Sequence, residues 1–122
     1  MRIGLSLGAS AAPGDALDQH LARVQQAERD GFSAAWFTQE LGLDALMFAA
    51  LAGHVTTRIE LGTAVVPTYP RHPVTMAQQA LTAQVASGGR FALGIGLSHQ
   101  VLGRSWRSGR DALPAEVPMV PL

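Results

Sequence analysis

The sequence predicts an α/β protein built on a parallel sheet, and three observations carry that prediction. The stretch from Ile59 to Gly96, IELGTAVVPTYPRHPVTMAQQALTAQVASGGRFALGIG, reads as strand, loop, helix and strand. A connection of that length joins parallel strands through a right-handed crossover. Strands begin near residues 3, 34, 59 and 91, a recurrence of roughly thirty residues that matches a β-α unit. Ionisable and polar side chains gather where strands end, as Thr68-Tyr69-Pro70-Arg71-His72 and as Leu97-Ser98-His99-Gln100. In parallel sheets and barrels that carboxyl edge is where chemistry sits.

Each element has a local reason. Arg2 to Leu7 is a short first strand, followed by a small-residue loop from Gly8 to Gly14. Asp15 is placed to cap a helix, since its carboxylate accepts from orphan N–H groups. Leu17, Leu21, Val24 and Ala27 share one face of that helix, and Asp30-Gly31 closes it. Phe32 to Thr38 forms the second strand, with Gln39, Glu40 and Gly42 in its exit loop. Asp44 caps a second helix running to about His54, with Leu46, Met47, Ala50 and Leu51 expected inward. Ile59 to Val66 is apolar and β-branched after Glu60, the pattern of a strand buried on both faces. Pro67, Pro70 and Pro73 then end sheet pairing. Pro73 suits the first position of a third helix, whose expected inward stripe is Val74, Ala77, Leu81 and Val85. Ser87-Gly88-Gly89 stops it, and Phe91 to Ile95 is a fourth strand. Gly94 and Gly96 allow a close approach to its backbone.

Composition narrows the class. The chain has 122 residues, 48% hydrophobic and 15% charged, enough for one domain with a core. Nine arginines balance nine acidic residues, with no lysine and no basic run, so nucleic-acid binding lacks electrostatic support. There is no cysteine, which removes disulfides, thiolate metal sites and cysteine nucleophiles. No apolar run approaches the ~18 residues of a membrane span, and the start lacks a signal-peptide pattern. The expected location is the cytoplasm, away from membranes. The β-α order leaves two closures open: a doubly wound open sheet, or half of a (β/α)₈ barrel, which needs about 250 residues.

The ordered segments WFTQE, DALMFAALAGHVTTRIELGTAVVP, TAVVPTYPRHP and GGRFALGIG resemble the bacterial luciferase-like monooxygenase family, and within it the deazaflavin-dependent oxidoreductases. The likeness runs from Met1 to about Gln100. It implies the N-terminal half of a TIM barrel, with about four strands and three helices. It also implies an oxidoreductase with FMN or a deazaflavin of the coenzyme F420 type at the carboxyl face. The reaction would be hydride transfer to, or monooxygenation of, a small organic substrate. Position by position, the resemblance assigns Thr38, Ala64, Val65, Gly96 and Ser98 to the cofactor, with a non-proline cis peptide at Ala64-Val65. It assigns His99 and Gln39 to polarising or protonating the substrate. Tyr69, Arg71 and His72 fall in the loop that faces substrate. The family pattern stops at about residue 102; residues 103–122 carry three prolines and no helical periodicity, the mark of a truncated form. A homo-oligomer is expected to cover what an open half-barrel exposes. The alternative is a non-catalytic, self-associating structural fragment.

Several residues carry simpler explanations. His72 precedes Pro73 and also suits a helix N-cap. His20 reads as solvent-exposed, and His54 as a helix-end residue favoured by the dipole. Tyr69 and Trp36 are large enough to stack on a ring, although Trp36, in mid-strand, reads first as core. Arg71 can hold an oxyanion or pair with Glu40. Two histidines on separate strand ends fall short of a catalytic zinc set. Gly94-x-Gly96 lacks the third glycine of a dinucleotide fingerprint, and Gly8 to Gly14 lacks the Lys of a phosphate loop. Gly96-x-Ser98-x-Gln100 lacks the second glycine of a nucleophile elbow.

Overall fold

The computed structural model describes residues 1–8, 17–40 and 42–97. The Asp15 cap, the loop after Gly8, Ser98, His99 and the boundary at residue 102 lie outside the described residues. Strands β1 (Gly4–Gly8), β2 (Ala34–Thr38), β3 (Glu60–Thr63), β4 (Val66–Pro67), β5 (Phe91–Ala92) and β6 (Ile95–Gly96) alternate with helices α1 (Leu17–Arg29), α2 (Ala45–Val55) and α3 (Pro73–Ala86). One sheet runs β1-β2-β3-β5 and a second pairs β4 with β6, all parallel. The order never reverses. A doubly wound sheet has a reversal, at which its ligand site lies, so the arrangement is that of a partial barrel.

Period-two alternation sorts the side chains. Leu5, Leu7, Ala35, Phe37, Leu61 and Phe91 turn to the helices and join one core with Val24, Leu46, Phe48 and Ile59. Gly4, Ser6 and Gly8 alternate with them on β1 and are exposed on the opposite, concave face. Three loops are tied at the amino edge. The Arg90 guanidinium donates to Gly53 O (2.9 Å), Thr56 O (2.8 Å), Thr56 Oγ1 (3.1 Å) and Ile59 O (2.6 Å). It thereby takes up carbonyls that the end of α2 leaves open. The Glu28 carboxylate accepts from the N–H groups of Thr57 (3.0 Å), Arg58 (2.7 Å) and Ile59 (2.8 Å).

Four expectations are corrected here. The third strand is not continuous from Ile59 to Val66, nor the fourth from Phe91 to Ile95; each is cut in two. Gly94 presses on the break, for a Cβ there would lie 1.9 Å from Thr63 O. The Thr63 hydroxyl donates to Gly94 O (2.8 Å) and accepts from Gly94 N–H (3.0 Å). The helix α3 stripe of Val74, Ala77, Leu81 and Val85 faces out, with Leu81 63% and Val85 73% exposed. Met76 and Ala83 face in instead. Helix α2 likewise turns Ala45, Leu46, Phe48, Ala49 and Ala52 inward, leaving Met47 and Leu51 exposed. Both helices are apolar on two sides, and the core takes the side with small residues because it permits close packing. A Cβ at Gly53 would lie 2.7 Å from Ser87 Cβ. Lastly, His20 is buried, 5% exposed, edge-on to Phe48 at 6.2 Å between ring centroids.

Candidate active site at the carboxyl edge

The strand ends assemble from their own hydrogen bonds. Gly8 lies beside Thr38 in register, and Phe37 beside Thr63. Ala64 N–H donates to Phe37 O (2.8 Å), Val66 N–H to Gly94 O (2.9 Å) and Thr68 N–H to Gly96 O (3.1 Å). Thr38, Ala64, Val65 and Gly96 are therefore brought to one edge. The Ala64-Val65 peptide is cis, as the resemblance implies. The close approach foreseen at Gly94 and Gly96 comes from β3 and its exit: a Cβ at Gly96 would lie 2.7 Å from Val65 Cγ2. Val65 is thus seated against Gly96 with 44% of its surface exposed. On β1, two strands away in the sheet order, a Cβ built at Gly8 would meet nothing nearer than Thr38 Oγ1 at 4.0 Å among the described residues. An apolar backstop, a half-buried threonine and a glycine at neighbouring strand ends suit a flat heteroaromatic ring with polar edges. The residues present fit a flavin-type group.

The neighbouring loop is held by a clasp. Asp44 caps α2, its Oδ1 accepting from Met47 N–H at 2.8 Å. Gln39 Oε1 accepts from Ala45 N–H at 2.9 Å, so two orphan donors of that helix are satisfied. Arg71 reaches both caps, pairing with Asp44 Oδ2 and donating to Gln39 Oε1 at 3.4 Å. Its partner is Asp44, not Glu40. The Arg71 side chain is 13% exposed, and burial holds its pKa below the usual arginine value. His72 caps α3, its Nδ1 accepting from Val74 N–H at 3.2 Å. Gln39, Arg71 and His72 thus all hold helix starts in place. Among the predicted substrate contacts, Tyr69 (55% exposed) and His72 are exposed and Arg71 is half-buried.

Sequence reasoning missed the Arg71–Asp44 pair, since 27 residues separate the partners. It also misplaced Trp36. The indole is half-buried on the concave face, not in the helix-side core. It lies across two glycines: a Cβ at Gly4 would come within 2.9 Å of Trp36 Nε1, and one at Gly62 within 2.3 Å of Cζ3. Glycine in strands on both sides was the available signal.

With this geometry in place, comparison with known proteins is informative. The profile described as luciferase-like monooxygenase matches residues 1–109. A Mycobacterium tuberculosis protein named as a coenzyme F420-dependent oxidoreductase is 35% identical over 114 residues, 93% of this chain and 32% of that protein. The 5,10-methylenetetrahydromethanopterin reductase of Methanopyrus kandleri is 31% identical over 93 residues, 75% of this chain and 27% of that protein. Among solved structures, the coenzyme F420-dependent tetrahydromethanopterin reductase of Methanopyrus kandleri superposes with a TM-score of 0.71 at 28% identity, covering 88% of this chain and 30% of its own. The FMN complex of the oxygenating constituent of 3,6-diketocamphane monooxygenase from Pseudomonas putida gives 0.73 at 21% identity, over 89% of this chain and 32% of that one. At that identity the likeness shows the fold alone. The chain spans about a third of the length of these relatives.

Proposed function

The chain belongs to the luciferase-like monooxygenase family, and from that premise we propose that it supplies the N-terminal half of a deazaflavin- or FMN-dependent oxidoreductase site. The observation that carries this reading is the carboxyl edge, where Val65 stands exposed against Gly96 and the strand ends at Thr38 and Gly8 lie in register on the same edge. When bound there, a deazaflavin or flavin supplies hydride transfer or oxygen activation. The protein's part is to bind, orient and exclude water. Thr38, Ala64, Val65, Gly96 and Ser98 are the residues set against the ring. Tyr69 contacts a small organic substrate. His99 moves the proton, since imidazole titrates near neutrality. Gln39 can polarise a substrate only through the amide that already caps α2, and Arg71 and His72 act by fixing the loop. The family relative named for coenzyme F420 favours the deazaflavin.

The expected location is cytoplasmic; no helix among the described residues is long and apolar enough to cross a membrane. Residues 1–102 form the barrel unit in this reading. The test is gel filtration of the purified 122-residue chain after incubation with FMN or with a deazaflavin, following visible absorbance. Co-elution of either ring supports the reading. Colourless protein in both cases sinks it.

A second reading rests on a separate observation. Neither α2 nor α3 carries an Asp, Glu, Lys or Arg, while α1 carries four such residues. A second apolar side on a helix is normally covered as well. Met47, Leu51, Val74, Leu81 and Val85 are exposed on them, and a groove of about 340 Å³ runs between the two at Met47, Ala50 and Gln79. This supports a homo-oligomer in which that face is covered by a second copy.

A further inference from the structure

The concave face has layers. Ser6, Trp36, Gly62 and Ala92 share one level by strand register, and Gly8 and Thr38 form the next level toward the carboxyl edge. In the Trp36 level the register partners are small, and the one large side chain reaches from Gly62 to Gly4, one level nearer the amino edge. Its two ends pass so close to β1 and β3 that a methyl group at Gly4 or Gly62 would collide with the ring. The glycines therefore do more than tolerate the indole; they let it sit low against the sheet. Among the described residues, Gly8 and Thr38 are the register partners of the level above. A flat aromatic surface thus lies one level below the open edge, facing away from the helix-side core.

We propose that Trp36 is the floor of the pocket and fixes how deeply a planar ring can enter from the carboxyl edge. This rests on the functional reading above and adds a depth-setting residue to it. A side chain that only filled space would need no such pair of glycines; any branched residue could occupy the level. A flat floor offers an extended π-surface, suited to a heteroaromatic ligand and poorly matched to a compact aliphatic one.

The chain has two tryptophans, so the Trp106→Phe variant leaves Trp36 as the single emitter. This full-length variant is titrated with FMN and, separately, with a deazaflavin. Ring anisotropy reports binding, and the acrylamide quenching slope of Trp36 reports contact-scale shielding. The expected result is a rise in anisotropy with a parallel loss of acrylamide quenching. Trp36→Leu, of similar greasiness but without the flat surface, then weakens ring binding by about fivefold to tenfold. Gly62→Ala, which displaces the indole while keeping it, also weakens binding; circular dichroism of both variants verifies the fold. If the ring binds while Trp36 stays equally open to acrylamide and Trp36→Leu binds as tightly, the floor assignment is wrong. If neither ring raises the anisotropy, the functional reading itself fails and takes the floor with it.

Discussion

At the scale of single residues, the amino edge depends on one carboxylate. Burial alone would raise the pKa of Glu28, but hydrogen bonds from the N–H groups of Ile59, Arg58 and Thr57 and from the Thr57 hydroxyl outweigh it and hold the pKa below the usual value of 4.5. A depressed folded-state pKa means stability that is present above the unfolded value and lost as pH falls through the folded one. Glu28→Gln is expected to cost about 0.5–1.5 kcal/mol at pH 7, the worth of hydrogen bonds to a charged acceptor reduced by solvent screening at this half-buried residue. The gap between the two proteins should close as the pH drops below 4.5. Urea unfolding of both chains between neutral and acid pH reads this out; a gap independent of pH would contradict it. Nothing in the sequence marks Glu28, which sits among Gln25, Gln26, Arg29 and Asp30 as one more polar residue on a helix. Its three partners come from a loop about 30 residues away. His72, by contrast, was legible as an N-cap because Pro73 fixes where the helix begins. His20 was not, because its polar neighbours point to solvent while the residue itself packs against Phe48.

At the scale of elements, the clasp of Arg71 with Asp44 and Gln39 couples the start of α2 to the loop that precedes α3. Each partner alone is replaceable, but losing one leaves a buried charge on the other, and such pairs couple by about 0.5–3 kcal/mol. Asp44→Asn and Arg71→Met should each destabilise the chain, and the double variant should be less harmful than the sum. A double-mutant cycle by thermal or urea unfolding measures this, and strict additivity would show that the pair does not act as a unit. The β-α-β-α-β-α-β order was legible from periodicity and prolines alone. Where the strands break was not, because the interruption is made between strands: Gly94 fits under Thr63 O, and Thr63 bonds back to Gly94. Nor could periodicity choose between the two apolar sides of α3. The hydrophobic stripe of Val74, Ala77, Leu81 and Val85 is real, yet the core takes Met76 and Ala83. Apolar spacing says that a face is buried somewhere, and does not say by what.

At the scale of the molecule, that spare face sets the strongest demand. Val74, Leu81 and Val85 on α3 and Met47 and Leu51 on α2 are exposed together, with no charge on either helix to keep water there. Exposed apolar residues in such number on two neighbouring helices suit an interaction site. A twofold contact brings a surface patch against its own copy, so a neutral face meets itself without like-charge repulsion. A new charge there meets its own image. Leu81→Glu should therefore leave the monomer's fold intact, since Leu81 is 63% exposed and exposed substitutions usually change stability by less than about 0.5 kcal/mol. The same substitution should shift the chain to the monomer. Light scattering coupled to gel filtration, run on both proteins over a range of concentrations, gives the answer. A parent oligomer that Leu81→Glu dissolves assigns the face to a second copy. A parent chain that is already monomeric, or an oligomer that ignores the new charge, moves the interface elsewhere and leaves the face to a different partner.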